Sequence, residues 1–465
     1  MNVTVPVPEP VVAPVAYVPE PPREPAHIIA SDAEAIGIAT TLAQLFAERA
    51  GERDRDRRLP VGELDIFSRS GLWGITVPRP YGGAGVSQAT VAQVLEILAA
   101  GDSSIAQIPQ NHFEIIDLIR LTGSEAQKRE LFGLVLEGYR LGNAFSEYKG
   151  RHVEDFQTRI EKRGDDYVVT GEKFYSTGAL FAHLVPIVAL DADGRAWVAI
   201  ADRGATGLEI VDDWSGFGQR TTASGTVRLH EVVVPAARVL PAYIAYEAPS
   251  ASGPQSQIAH AAIDAGIAKG AIERTIRFVR EQARPWIDAK QERAADDPYT
   301  IAAVGELEIR LHAAEALLER AGRITDAAIA DPTPARIATA KVAVAEAKVL
   351  TTEVALLATN KLFELAGTRS VLAANQLDRL WRDARTHTLH DPVRWKYHAV
   401  GNYYLNDAAP RCTPGSDVRW RSGGWNGGDR PVFSARHHRD HCIHPRLVAA
   451  GRRPDRAVGR NPHRL

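Results

Sequence analysis

The apolar periodicity of the chain changes twice along its length, and this limits the possible folds more than any single motif. From about residue 27 to 142, apolar residues recur at three-to-four spacing in the runs 33–50, 61–71, 87–100, 105–121 and 124–137, with Gly and Pro between them. That pattern predicts an all-helical first domain. Over 143–245 the period falls to two. Short β-rich runs at 167–170, 185–189, 196–200 and 226–229 alternate with turns such as Asp191-Ala-Asp-Gly194, which predicts a middle β-domain. Helical spacing returns for 255–406. Ile263, Ile267, Ile272, Ile276 and Val279 mark one long helix, and Val304, Leu307, Leu311 and Leu318 a second. A third covers 334–366 and a fourth 373–385, the number a four-helix bundle requires. The expected class is α+β.

Two ends flank this body. Residues 1–26 carry eight prolines among Val, Glu and Ala, a composition that predicts a disordered leader. Residues 407–465 are Arg-rich, Lys-free and Glu-free, without periodicity, and read as a disordered extension or a shifted reading frame. From Ala408 onward twelve Arg and four Asp give the tail +8; the whole chain is −2, so the body carries −10. An acidic body argues against nucleic-acid binding. The two cysteines, Cys412 and Cys442, both fall in the tail, so the body has no disulfide framework and no thiol nucleophile. With no run of about 18 apolar residues and no signal-like h-region, the expectation is a cytoplasmic protein with no membrane segment.

Five segments then carry a resemblance. They are LWGITVPRPYGGAG at 72–85, GNAFSE at 142–147, GEKFYSTG at 171–178, LHEVVVP at 229–235 and VREQARPW at 279–286. Their order, on a helical, β, helical plan, resembles the acyl-CoA dehydrogenase superfamily across residues 27–406. The resemblance implies that Thr177 hydrogen-bonds a flavin N5, Tyr175 lies beside the ring, Ser146 meets it at the strand entry, and Arg280 binds the flavin phosphates. Arginine suits phosphate because its guanidinium stays charged and can bind bidentately. Read alone, Thr177 is also an ordinary β-former and Arg280 a solvated helix residue.

The departure from the family comes at RDARTHTLHDP, 382–392. Acyl-CoA dehydrogenases often carry Tyr-Glu-Gly-Thr there, with the glutamate as the base that removes the thioester α-proton. In this register His390 replaces the tyrosine and Asp391, one methylene shorter, replaces the glutamate. A displaced base loses much of its rate, because proton transfer needs heavy atoms within about 2.6–3.2 Å. The His-x-x-His spacing is instead similar to the dibenzothiophene monooxygenase and sulfur-acquisition branch. That branch implies reduced FMN, O2 and a C4a-(hydro)peroxyflavin, a separate NAD(P)H-dependent flavin reductase, a small organosulfur substrate and a homotetramer.

In the same comparison His112, in NHFEIID at 111–117, matches an active-site histidine, Asn143 an asparagine near the flavin C4a edge, and Trp214 an aromatic wall. Histidine can supply or accept a proton near neutral pH. The expected roles are therefore His112 and His390 stabilising or protonating the peroxyflavin, Asn143 and Thr177 orienting the ring, and His387 supporting the group. For His387 a helix-capping or core-polar role stands as the plainer alternative. A metal pair of His387 with His390 lacks a third ligand, so no metal is expected. The competing functions are an acyl-CoA dehydrogenase with FAD and Asp391 as base, and a flavin-free scaffold.

Overall fold

The computed structural model describes residues 17–150 and 155–410. The expected tail at 407–465 and leader at 1–26 fall mainly on residues 411–465 and 1–16, outside the described residues. The part of the leader that is described, 17–26, is packed rather than free. Arg203 donates to the Tyr17 carbonyl at 2.9 Å, the His183 ring meets the Glu20 carbonyl at 2.9 Å, and Ala26 is buried. Proline-rich sequence is compatible with extended chain lying on a surface as well as with disorder. Here main-chain carbonyls, which proline retains, hold it down.

Six helices build the first domain: α1 (Asp32–Glu48), α2 (Ala50–Asp56), α3 (Val61–Arg69), α4 (Gln88–Gly101), α5 (Ser103–Thr122) and α6 (Glu125–Leu136). Their starts are written in the sequence. Ser31, Ser87 and Asp102 cap α1, α4 and α5 with side-chain oxygens, and Ser124 forms a capping box with Gln127 at α6. α5 is buried along most of its length, which places the His112 ring in the interior.

The middle domain is a seven-stranded sheet of β1 (Arg159–Arg163), β2 (Asp166–Lys173), β3 (Leu184–Leu190), β4 (Ala196–Asp202), β5 (Leu208–Ile210), β6 (Val227–Pro235) and β7 (Val239–Leu240). The strand order is β5-β6-β2-β1-β3-β4-β7, antiparallel except where β1 meets β3. β3 is buried on both faces from Leu184 to Ala189, so it reads as a continuous apolar run rather than an alternation. Residues 141–144 add to its edge through the bridges Leu141↔Leu184 and Ala144↔Ile187, and this carries the 142–147 segment into the sheet.

After the short α7 (Tyr243–Glu247), three long helices follow: α8 (Ser252–Glu281), α9 (Pro298–Ala330) and α10 (Pro334–Ala366). They are completed by α11 (Asp378–His387) and α12 (Arg394–Asn406). The fourth bundle helix, expected over 373–385, begins at Asp378 because 373–375 is a separate 3-10 turn. α8 packs against α4 and α5 on one side and α9 and α10 on the other, and is buried nearly all round. Small residues permit this close approach: a Cβ added at Gly266 would lie 2.2 Å from the Glu96 carbonyl oxygen of α4. Among the described residues no helix is long and apolar enough to cross a membrane.

Candidate functional site

The first element of the site joins two of the sequence motifs. Lys173, fully buried in GEKFYSTG, sets its amine 2.7 Å from Glu147 and 3.1 Å from the Phe145 carbonyl, both in GNAFSE. Glu147 also accepts from the Thr158 hydroxyl at 2.7 Å and from the Gln157 and Thr158 amides at 2.7 and 3.1 Å. Burial lowers the Lys173 amine to about 8, with the Glu147 carboxylate opposing that shift. Burial pushes the Glu147 carboxyl up, but Lys173 and the donors around it hold it below the ordinary range. This pair pins residues 142–147 against the end of β2.

Beyond Lys173 the chain turns sharply. Tyr175 sits at φ 57°, left-handed backbone that a side chain tolerates only at a cost of order 1–3 kcal/mol. The turn is fastened by the Thr177 amide on the Tyr175 carbonyl at 2.9 Å and the Ser176 amide on the Gly225 carbonyl at 3.2 Å. The Tyr175 side chain is 48% exposed, its ring centroid 6.2 Å from that of Trp214. Asn143 Nδ2 reaches the Tyr175 carbonyl at 3.4 Å. The Thr177 hydroxyl begins a chain, 2.7 Å to Ser224 and 2.7 Å onward to Thr222, whose hydroxyl donates to the Gln219 carbonyl at 3.1 Å. The same carbonyl accepts the Trp214 indole N–H at 3.0 Å. Gly216 lies under this ring, where a Cβ would come within 2.3 Å of it.

Asn143, Tyr175, Thr177 and Trp214 are thus brought together. Ser146 adjoins them through its carbonyl, which accepts from the Phe174 amide at 2.9 Å.

Helix α11 holds this wall from behind. Asp383 accepts from the Gln219 amide at 2.6 Å and the Ser103 hydroxyl at 2.7 Å, with Arg379 at 3.6 Å. Burial raises its carboxyl to about 6 despite Arg379. One turn on, His387 enters a buried polar cluster. Its Nδ1 lies 2.6 Å from Asp264 Oδ1, and Nε2 lies 3.0 Å from Gln107 Oε1 and 3.3 Å from His260 Nδ1. Asp264 Oδ2 accepts from the Lys348 amine at 2.6 Å and the Thr352 hydroxyl at 2.8 Å. The His260 ring in turn stacks on His390, centroids 3.7 Å apart and planes at 32°. Desolvation lowers the buried His260 and His387 imidazoles below their ordinary value; Asp264 opposes this at His387, while the neighbouring cations add to it.

Two expected site residues stand apart. The Leu141 amide donates to His112 Nδ1 at 3.1 Å, so the proton is on Nε2, which meets the Trp73 carbonyl at 2.9 Å. Both ring nitrogens are therefore committed to main chain, and burial takes the imidazole down to about 3. In this arrangement the ring bridges α5, the 72–74 turn and the sheet entry. His183 has the same arrangement, between the Arg140 amide and the Glu20 carbonyl. Arg280 is exposed near the end of α8. It lies twenty residues beyond His260, about 30 Å along a helix rising 1.5 Å per residue, so it is not among the residues gathered here.

Sequence reasoning missed His260, Asp264, Lys348 and Gln107. A signal was present: His260 and Asp264 are one turn apart in an apolar Ala/Ile stretch, and Lys348 interrupts the Ala/Val run of α10. Among the described residues no group of three or more His, Cys, Asp or Glu is placed to hold a metal ion.

Comparison with known proteins matches residues 37–138 to the acyl-CoA dehydrogenase N-terminal domain and 258–395 to its C-terminal domain. Dibenzothiophene monooxygenase of Rhodococcus erythropolis is 33% identical over 399 residues, 82% of this chain and 95% of the relative. A probable FMNH2-dependent monooxygenase, SfnC, of Pseudomonas putida is 32% identical over 81% of this chain and 96% of that protein. The crystal structure of FMN-bound TdsC from Paenibacillus sp. A11-2 superposes with a TM-score of 0.77 at 32% identity, over 81% of this chain and 99% of that one. With this fold and these matches, the chain belongs to the acyl-CoA dehydrogenase superfamily, in its dibenzothiophene monooxygenase branch, and is a flavin-dependent oxidoreductase.

Proposed function

We propose that the chain is the oxygenating component of a two-component monooxygenase. It takes reduced FMN from a separate NAD(P)H-dependent reductase, and O2, to oxygenate a small organosulfur compound. The observation that carries this reading is the replacement of the dehydrogenase base by a histidine cluster. Asp391, at the base position, lies 3.5 Å from the Lys396 amine, while His390 beside it stacks on His260. The relatives above, named as monooxygenases at 32–33% identity, support the same choice over an acyl-CoA dehydrogenase using FAD.

The residues fit a flavin. Asn143 Oδ1 and Ser176 Oγ are buried without a hydrogen-bond partner at the Tyr175 turn, and such groups are costly unless something meets them. A planar donor and acceptor edge set against Thr177, with Tyr175 and Trp214 beside it, would satisfy them. Bound in reduced form, FMN would supply the electrons and carry O2 as a C4a-(hydro)peroxide, whose lifetime depends on excluding water and stray protons. The chain's own part is then positional. Asn143 and Thr177 orient, Tyr175 and Trp214 wall the site, His390 holds or moves a proton, and His387 fixes the ring beneath it.

Arg280 fits the phosphate of a flavin bound to a second copy, since its own chain sets it about 30 Å from His260. This is the arrangement in which a phosphate role for Arg280 and a homotetramer agree.

The test is to titrate the protein anaerobically with reduced FMN, then add O2 and a small aryl or alkyl sulfur compound. Preference for reduced over oxidised FMN, with sulfur oxygenation in place of H2O2 release, is expected. Stoichiometric FAD after purification, bleached by an acyl-CoA thioester, would overturn the reading in favour of the dehydrogenase.

A further inference from the structure

The buried polar cluster behind His390 is larger than a support for one side chain needs to be. Asp264 and Lys348, both fully buried, cancel each other's charge, and Thr352 completes the second carboxylate oxygen. A close cation keeps Asp264 ionised, well below the usual carboxylate range even though burial opposes it. The 2.6 Å contact to an ionised oxygen therefore requires a proton on His387 Nδ1. That leaves His387 Nε2 as the atom that can change state, and each state has a partner. Without a proton, Nε2 accepts the Nδ1–H of His260 at 3.3 Å; with one, it donates to Gln107 Oε1 at 3.0 Å. A purely structural histidine needs one such partner.

We propose that Asp264 is a positioning residue that fixes His387 in its Nδ1–H tautomer and makes His387 and His260 a two-ring proton relay beneath His390. The proposal rests on the monooxygenase reading for its use, but not for its geometry. In the uptake step a hydronium ion beside His390 gives its proton to His260 Nε2 and leaves as water. The His260 Nδ1–H bond breaks as its proton passes to His387 Nε2, and the new imidazolium rests against the Asp264 carboxylate. Delivery is the reverse, and no electrons are exchanged. Both rings rest neutral because burial disfavours their charged forms, so the relay holds at most one proton, in transit. Lys348 keeps the Asp264 charge balanced between transfers. His390, whose residue is exposed, covers the outer ring.

The test uses full-length protein labelled with 15N-histidine and free of FMN, read by magic-angle-spinning NMR. Asp264→Asn leaves the Lys348 charge buried alone and can fail to fold, so the main variant is the neutral pair Asp264→Asn with Lys348→Met. Wild type is expected to show the His387 Nδ1–H tautomer, the double variant a redistributed one, and Asp264→Glu the wild-type tautomer. With reduced FMN, O2 and a sulfur substrate, the double variant is expected to release several-fold more H2O2 per product. His260→Asn should do the same with the His387 tautomer intact, an effect that an anchoring role for Asp264 would not produce. An unchanged tautomer in the folded double variant, or unchanged coupling in His260→Asn, would overturn the relay. Because the tautomer is read without flavin, its failure is distinguishable from failure of the monooxygenase reading.

Discussion

Asp383 and His387 lie one turn apart on the same buried face of α11, and between them they tie the Gln219 loop to the Asp264 cluster of α8. Through Gln219 the first residue reaches both Trp214 and the Thr177 hydroxyl chain; through Asp264 the second reaches α10. Residues four apart on a helix share a face. A single turn therefore sets the aromatic wall and the histidine cluster in fixed register.

Asp383→Ala should loosen both. It strands the Gln219 amide and the Ser103 hydroxyl in the interior, a loss of about 2–4 kcal/mol of stability by denaturant titration. Asp383→Asn keeps an acceptor for the Gln219 amide and should lose less. Their pH behaviour should also differ. The folded carboxyl is raised to about 6, so its contribution to stability is fully present below the ordinary carboxylate range and is lost as pH rises through 6. Asparagine should therefore gain on wild type between pH 4 and 7, by about 1–3 kcal/mol. A constant difference across that window would refute the assignment.

His112 gives the opposite sign. Its imidazole is lowered to about 3, so the neutral form's contribution is present above the ordinary histidine value and lost as pH falls toward 3. His183, lowered to about 4 by burial and then by Arg140, acts in the same direction. Wild type should lose stability on acidification below pH 6.5, with each such histidine contributing at most about 1.4 kcal/mol per pH unit. His112→Gln should flatten that slope and cost about 2–4 kcal/mol at neutral pH. Oxygenation per folded site should change less than threefold. A hundredfold loss of turnover in folded His112→Gln would instead assign a chemical role to this residue.

The Lys173–Glu147 pair should be costly to halve and cheap to remove. Lys173→Met leaves a buried carboxylate unpaired, a loss of about 3–5 kcal/mol, whereas Lys173→Met with Glu147→Gln should recover most of it. A double-mutant cycle on melting temperature measures the coupling, and additive losses would rule the pair out as the link between the two segments.

What the sequence made legible followed from local rules. The 334–366 helix was readable to the residue, because Thr333 caps it, Pro334 suits its first turn and the Ala/Val run continues to Gly367. β1 was not, since of Arg159–Arg163 only Ile160 is buried and no alternation exists to read. α2 likewise has no apolar period. Asn143, Thr177, Tyr175 and Trp214 were singled out through their motifs, and the fold sets them close together. Lys173 and Glu147 sat inside quoted motifs and were passed over, because a bridge between residues 26 apart leaves no local signature. The partners of His112 were hidden for a related reason: they are main-chain groups, which every sequence supplies and none advertises. His260 and Asp264 differ, since a charged residue in an apolar helix face is visible in sequence and is rarely buried without a partner.

Arg280 provides the sharpest test of how copies of this chain combine. If its guanidinium serves a flavin held by Thr177 of another copy, the two residues belong to one site but to different chains. Arg280→Ala and Thr177→Ala should each weaken binding of reduced FMN, by about tenfold for a lost charge-assisted hydrogen bond and less for the hydroxyl. Unfolding the two variants together and refolding them should then restore some tight sites. Half of randomly formed pairs are mixed and each mixed pair holds one intact site, so about a quarter of sites should regain wild-type affinity. The titration of reduced FMN would become biphasic, with a tight fraction absent from either variant alone. If Arg280 and Thr177 act within one chain, no mixture can contain an intact site and the curve stays monophasic. A monophasic curve from a demonstrated mixed oligomer would remove Arg280 from the phosphate role, leaving it a solvated residue at the end of α8.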